Sequence, residues 1–407
     1  MKRRGKYRKI KTLFITLILI NLCIIFFGFS QTKTTAKAVE QTTKNLTIER
    51  EDPLQDNVQE QLENLDLKAL EEYLRSIGEL SNETIVQKLL SNIKGENFNF
   101  SDFGDVLADV FLSKISLLLP SFAVIMAIAL LAGVMSTLKS NVNGQTASEM
   151  IFLIAYTASL IPLLAVLIEC FHETSNGVAE MREQMQIVYP IMLTLMAASG
   201  GSVSASVCRP AVAFFSTSIV SVIDKVVFPL TITIIVLSMA GNLTKELKIG
   251  KFSAFFKSIN KWIMGICVSV FGIFFTLQGI TTAIYDGVVR RAAKYAIGNG
   301  IPIVGGFLSG GFDLAVAGSV LIKNSLGSMG IFMMCSVLIE PLLLLISVNV
   351  LLRLIAAITQ PFGDSRISDF LGETADNLHY CTAGLLITAF LYFLTIVLMI
   401  YSTEALF

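Results

Sequence analysis

Charge is scarce in this chain. Of its 407 residues only 15% are Asp, Glu, Lys or Arg, and the two signs cancel at 31 each. A net charge of zero gives no overall field that would hold nucleic acid. Histidine is nearly absent: His172 and His379 are the two. They lie far apart and have no H-E-x-x-H neighbour. The six cysteines, Cys23, Cys170, Cys208, Cys267, Cys335 and Cys381, form no C-x-x-C pair. Their spacing supports neither a zinc site nor a disulfide framework. Each lies in or beside an apolar stretch and reads as a small buried apolar residue. Neither a Walker phosphate loop nor a G-x-S-x-G elbow occurs. No catalytic residue, cofactor or metal is expected.

What the chain has in quantity is apolar side chains. They make up 54% of it, and the mean hydropathy is +0.70. A soluble domain could not hide that much apolar surface. Apolar segments fall at 114–138, 149–170, 187–208, 211–241, 259–284, 301–322, 329–358 and 379–402. A helical crossing of hydrocarbon needs roughly 20 apolar residues. The expected fold is therefore an all-α polytopic membrane protein.

The N-terminus has its own pattern. Residues 2–11 are strongly basic, Thr12 to Ser30 are apolar, and Ala36-Lys37-Ala38 is an A-x-A cleavage pattern. Residues 1–38 read as a secretory signal peptide. The apolar core is long for that role, so a retained anchor stays open. Either way residues 39–105 end outside the cytoplasm. In that segment Leu62, Leu65, Leu70, Leu74 and Ile77 recur at helical spacing. A small helical extracytoplasmic domain is expected there. It is either a cap on the membrane region or a docking surface. Residues 106–407 form the polytopic domain.

Topology turns on one loop. Lys245, Lys248, Lys251, Lys257 and Lys261 stand against a single glutamate, which favours the cytoplasmic side. Segment 149–170 is expected to lead outward to an acidic loop with Glu169, Glu173, Glu180 and Glu183. If 187–208 is re-entrant, the lysine loop lies inside and six crossings result. If 187–208 crosses, the loop lies outside and there are eight. The lysines favour the first arrangement, at the cost of Arg290, Arg291 and Lys294 facing outward.

The membrane region also repeats itself, at about 149–258 and 259–402. Asn176-Gly177-Val178 parallels Asp286-Gly287-Val288. Pro190 parallels Pro302, Ser199-Gly200-Gly201 parallels Ser309-Gly310-Gly311, and Pro229-Leu230 parallels Pro341-Leu342. Paired Gly/Pro-interrupted segments in two halves point to a transporter-like site. The bland alternative is close helix packing by small residues, as at Gly306-x-x-x-Gly310.

Three carboxylates lie within the apolar segments: Asp224, Asp313 and Glu340. Charge at that depth costs about 2.5–3.5 kcal/mol even on lenient scales, so such groups are paired or line a hydrated path. With Gly200, Gly201, Gly310 and Gly311 they make up the candidate intramembrane path. Arg209, Lys225 and Lys323 are the candidate counter-ions. Three readings stay open: buried ion pairs, an ion or solute path, and catalysis. For Asp313 the path is favoured, because glycine-rich backbone beside it suits a cavity. Catalysis is the weakest. Neither Asp224 nor Asp313 sits in the Tyr-Asp or Gly-x-Gly-Asp context of intramembrane aspartyl hydrolases.

The whole pattern resembles the stage III sporulation protein AE family of endospore-forming bacteria. The stretches that carry the resemblance are Tyr189-Pro190 to Ser206, Ile301-Pro302 through Lys323-Asn324, and Gln360-Pro361-Phe362-Gly363-Asp364. The resemblance implies a non-enzymatic, permease-like or channel subunit in the mother-cell membrane around the forespore. The partners it implies are the stage III sporulation proteins AA to AH and stage II sporulation protein Q. A self-contained transporter of a small solute or ion, and an assembly scaffold, are the rival readings.

Signal cleavage is directly measurable. N-terminal sequencing of membrane-extracted protein should begin at Val39, and an intact Met1 or Lys2 end would mean a retained anchor.

Overall fold

A computed structural model describes residues 51–76, 84–94, 103–139, 145–243, 249–300, 305–361 and 365–404. The expected signal segment 1–38 lies outside the described residues, as do Lys245, Lys248 and Pro302. Nine helices, and no strand, occur among the described residues. Three are short: α1 (Glu51–Asn64), α2 (Lys68–Ser76) and α3 (Ile85–Lys94). Six are long: α4 (Phe103–Lys139), α5 (Gln145–Ala198), α6 (Ser202–Leu243), α7 (Gly250–Gly300), α8 (Gly305–Thr359) and α9 (Ser365–Glu404). Each of the six is long and apolar enough to cross a membrane.

Residues Glu60–Phe407 form one compact unit. The end of α1 from Glu60, and α2 and α3, are part of it through their leucine faces. Leu62, Leu70, Leu74 and Leu89 are all buried. Polar bonds fix the seat. Gln61 donates to the Ala315 carbonyl at 2.9 Å and accepts from the Ser319 hydroxyl at 2.8 Å, both on α8. Gln184 of α5 donates to the Tyr73 hydroxyl at 2.8 Å and to the Met333 carbonyl at 3.1 Å. Burial raises the Tyr73 phenol above its ordinary value, against the pull of the Gln184 bond.

Helix α5 runs unbroken for 54 residues and α8 for 55. At 1.5 Å per residue each is about 80 Å long, against a hydrocarbon core of about 30 Å. This corrects the segment pattern. The stretches 149–170 and 187–208 lie on one helix, except for the last few residues beyond the turn at 199–201. The acidic loop expected around Glu173 to Glu183 is helix. Ala179, Glu180, Met181, Arg182, Glu183, Gln184 and Met185 are good helix formers, which carries α5 past its charged middle. Likewise 301–322 and 329–358 run together in α8 from Gly305 onward.

The two glycine pairs behave differently. Gly200 lies in the turn between α5 and α6 at φ 94°, a left-handed conformation that favours glycine. Gly310 and Gly311 lie inside α8 and do not break it. A side chain at Gly311 would meet nothing within 4 Å. Pro120, Pro162, Pro190 and Pro341 all sit inside helices. Each removes one backbone donor, a loss that neighbouring helices make tolerable.

Helix α9 lies centrally, packed against α5, α6, α7 and α8. Its most apolar stretch is 56% buried, against 22% for that of α7. Exposed apolar side chains ring the bundle on α4, α5 and α7, including Leu117, Leu131, Ile154, Ile161, Trp262 and Ile273. They are the surface that lipid would cover.

With one crossing per long helix, Ser202 and Lys251, at and beyond opposite ends of α6, lie on opposite sides of the membrane. Ser202→Cys should react with an impermeant thiol reagent in intact cells, in a background lacking the six native cysteines. Lys251→Cys should react only after permeabilisation. Reaction of both from outside would rule out the six-crossing layout.

Candidate functional site

Five helices converge at one level of the bundle, and each is unusual there. On α8, Glu340 precedes Pro341. Proline has no N–H, so the Val337 carbonyl one turn earlier loses its helical partner. Helix α5 meets this point with Gly177. A β-carbon on Gly177 would lie 3.1 Å from Pro341 Cγ and 3.7 Å from the Val337 carbonyl oxygen. With a β-carbon there, the Pro341 ring would have to give by a few tenths of an ångström. Helix α9 meets α6 in the same way, with Gly384. A β-carbon there would lie 2.9 Å from the Phe228 ring and 3.1 Å from Ile223 of α6.

Charge gathers at the same level. Lys114 of α4 pairs with Glu340 at 2.5 Å. Ser175 of α5 donates to Asp224 Oδ1 of α6 at 2.6 Å. Asp224 lies in a π-helical turn, Ile223–Val227. A second such turn, Phe215–Ile219, lies one short helical segment before it. A π-turn inserts an extra residue and re-aims side chains, and such turns gather at functional sites. Glu180, one turn beyond Asn176, lies in the field of Glu173, Glu183 and Glu340.

The depth of this belt follows from helix rise. Nineteen residues separate Glu340 from the end of α8 at Thr359, and nineteen separate Asp224 from the end of α6 at Leu243. Both distances are about 29 Å, the thickness of a hydrocarbon core. The belt thus lies one hydrocarbon thickness from those helix ends.

The sequence-level site is only partly brought together. Asp224 and Glu340 share the belt, linked through Ser175 and Gly177 of one helix. Asp313 does not join them. It lies 27 residues before Glu340 on the same continuous helix, about 40 Å away. The candidate counter-ions pair elsewhere or stand apart. Lys225 is exposed, and Asp224 takes the Ser175 hydroxyl instead. Lys323 is fully buried and donates to the Ile400 carbonyl at 2.8 Å. That carbonyl is in the last turn of α9, where a cation meets the negative end of the helix dipole. Arg209 is exposed on α6 and lines a crevice against α5.

Sequence reasoning missed Lys114 and Ser175. Lys114 is the single base at the head of the first apolar segment, which was the available signal. Nothing in the pattern marked Ser175, because its partner lies 49 residues away.

A buried polar seam runs below the belt. Asn260 of α7 donates to Thr231 of α6 at 3.0 Å, and Asn377 of α9 donates to Ser238 of α6 at 3.0 Å. All four side chains are buried. Tyr156 of α5 closes the lower end, donating to the Met239 carbonyl at 2.7 Å. Hydrogen bonds between helices in lipid average about 0.6 kcal/mol, so the seam aligns helices more than it stabilises them.

Charge reversal tests the Lys114–Glu340 contact. Lys114→Glu or Glu340→Lys alone sets like charges against each other and should lower the unfolding midpoint in detergent. The double reversal should restore most of the loss. Glu340 is 60% exposed, so neutralising one partner should cost no more than about 1 kcal/mol.

The family profile for stage III sporulation protein AE matches residues 81–403. Stage III sporulation protein AE of Bacillus subtilis (strain 168) is 27% identical over 251 residues, covering 61% of this chain and 63% of the relative. The match therefore spans less than two thirds of that relative's length. No solved structure matches the chain. The profile takes in α3, all six long helices and every belt residue, and on that extent the chain belongs to the stage III sporulation protein AE family.

Proposed function

We propose that this chain is a non-enzymatic membrane subunit of a sporulation-specific transport or channel complex between mother cell and forespore. The belt is the observation that carries the reading. Below the belt the helices are joined by neutral hydrogen bonds, Asn260 to Thr231 and Asn377 to Ser238. At the belt, two carboxylates, a lysine, a proline and a π-turn meet at one level. Such backbone and charge are costly beside lipid unless protein or water surrounds them. A hydrated path entering the bundle between α5, α6 and α8 accounts for all of them together. Asp313, about 40 Å along α8 from Glu340, stands outside that path.

The partners under this reading are the other stage III sporulation proteins of the AA to AH set and stage II sporulation protein Q. The site of action is the mother-cell membrane around the forespore. The short helices α1 to α3, seated on α5 and α8, offer the docking surface. The doubled Gly/Pro pattern belongs to the same reading, as two related halves around one path. A scaffold role is the rival, and the pairing of Glu340 with Lys114 favours it.

One substitution separates the two. Asp224→Asn keeps size and still accepts the Ser175 bond, so the protein should accumulate normally. Spore yield should then fall at least tenfold, while Asp313→Asn leaves it unchanged. Normal accumulation with normal yield for Asp224→Asn would favour the scaffold.

A further inference from the structure

Outside the belt, α5 and α6 part to leave a crevice of about 400 Å³. That size is in the range of small-molecule sites. Two local defects hold the helices apart here. Pro190 interrupts the bonding of α5, and the π-turn Phe215–Ile219 bulges α6. Both contribute residues to the crevice wall. The wall is apolar over much of its area, through Met185, Leu193 and Val212.

It carries one charge. Arg209 is the only ionisable side chain of strong charge on the wall, and no carboxylate faces it there. Among the described residues Arg209 has no ion-pair or hydrogen-bond partner. Hydroxyls stand nearby. Ser216 makes only a long 3.4 Å bond to the Ala213 carbonyl, so it can turn to a better acceptor. Thr217 is exposed on the same wall. An open guanidinium fork beside hydroxyls suits an oxyanion, and the apolar wall suits the body attached to it.

We propose that the crevice between α5 and α6 binds an amphiphile with a phosphate or carboxylate head, the head on Arg209 and the apolar body against Leu193 and Val212. Cations are disfavoured because no acidic side chain lines the wall. The site lies beyond the belt on α5 and does not depend on conduction through it. The head could belong to a free small molecule or to a lipid.

The test uses the full chain in nanodiscs of phosphatidylcholine, with hexyl phosphate as probe. Hexyl phosphate should raise the unfolding midpoint saturably, and hexanol should not. Arg209→Gln should weaken that binding at least about tenfold, the size expected for losing a charged hydrogen bond. Arg209→Lys should lose less, because the charge stays and the fork goes. Ala213→Trp fills the crevice without touching charge and should abolish the shift. If nanodiscs containing phosphatidylglycerol remove the response to hexyl phosphate, the head is a lipid's. If the response persists there, the ligand is a free anion. No saturable shift in phosphatidylcholine would overturn the proposal, as would equal shifts in wild type and Arg209→Gln. Should Arg209→Gln fail to accumulate, an undiminished shift in Ala213→Trp overturns it alone.

Discussion

The fold depends on how closely α5 and α8 can approach. In lipid the hydrophobic effect gives helices no reason to associate, so packing and a few polar bonds must do it. Gly177 against Pro341 is the contact that permits this approach. Both helices are about 80 Å long, and a bulky side chain at their crossing would lever them apart along their length. The Val337 carbonyl, which Pro341 leaves without a helical partner, lies at the same crossing.

The belt grows from that contact. Once α5 sits on α8, Ser175 is carried to Asp224 and Glu340 to Lys114 of α4. Gly384 then brings the central helix α9 onto the π-turn of α6. Charge, helix defects and small residues therefore coincide by construction. Below the belt, the Asn260–Thr231 and Asn377–Ser238 bonds hold α6, α7 and α9 in register. Beyond it, the bundle is anchored by Lys323 on the end of α9 and by the Tyr73–Gln184 bond to the short helices.

The long helices also change what the carboxylates mean. A carboxylate in the middle of a 20-residue segment is deep in hydrocarbon. The same residue inside a 55-residue helix sits wherever the helix places it. Helix rise puts Glu340 and Asp224 about 29 Å from the ends of α8 and α6, each beside a partner, Lys114 or Ser175, and Asp313 about 40 Å further along α8.

Much was legible in the sequence. Composition and the length of apolar runs determined a polytopic helical membrane protein, because hydrocarbon admits little else. Leucine spacing marked two of the short helices, through Leu62, Leu70 and Leu74, and Gly200 marked a real turn. Asp224 and Glu340 stood out because charge is rare among their neighbours. Tertiary structure decided the rest. Hydropathy is blind to a charged stretch that continues a helix, so α5 and α8 were read in pieces. Residues 175 and 224, or 114 and 340, are partners only because two helices cross at a glycine. Which carboxylates share a level is a property of the crossing, and no local pattern carries it.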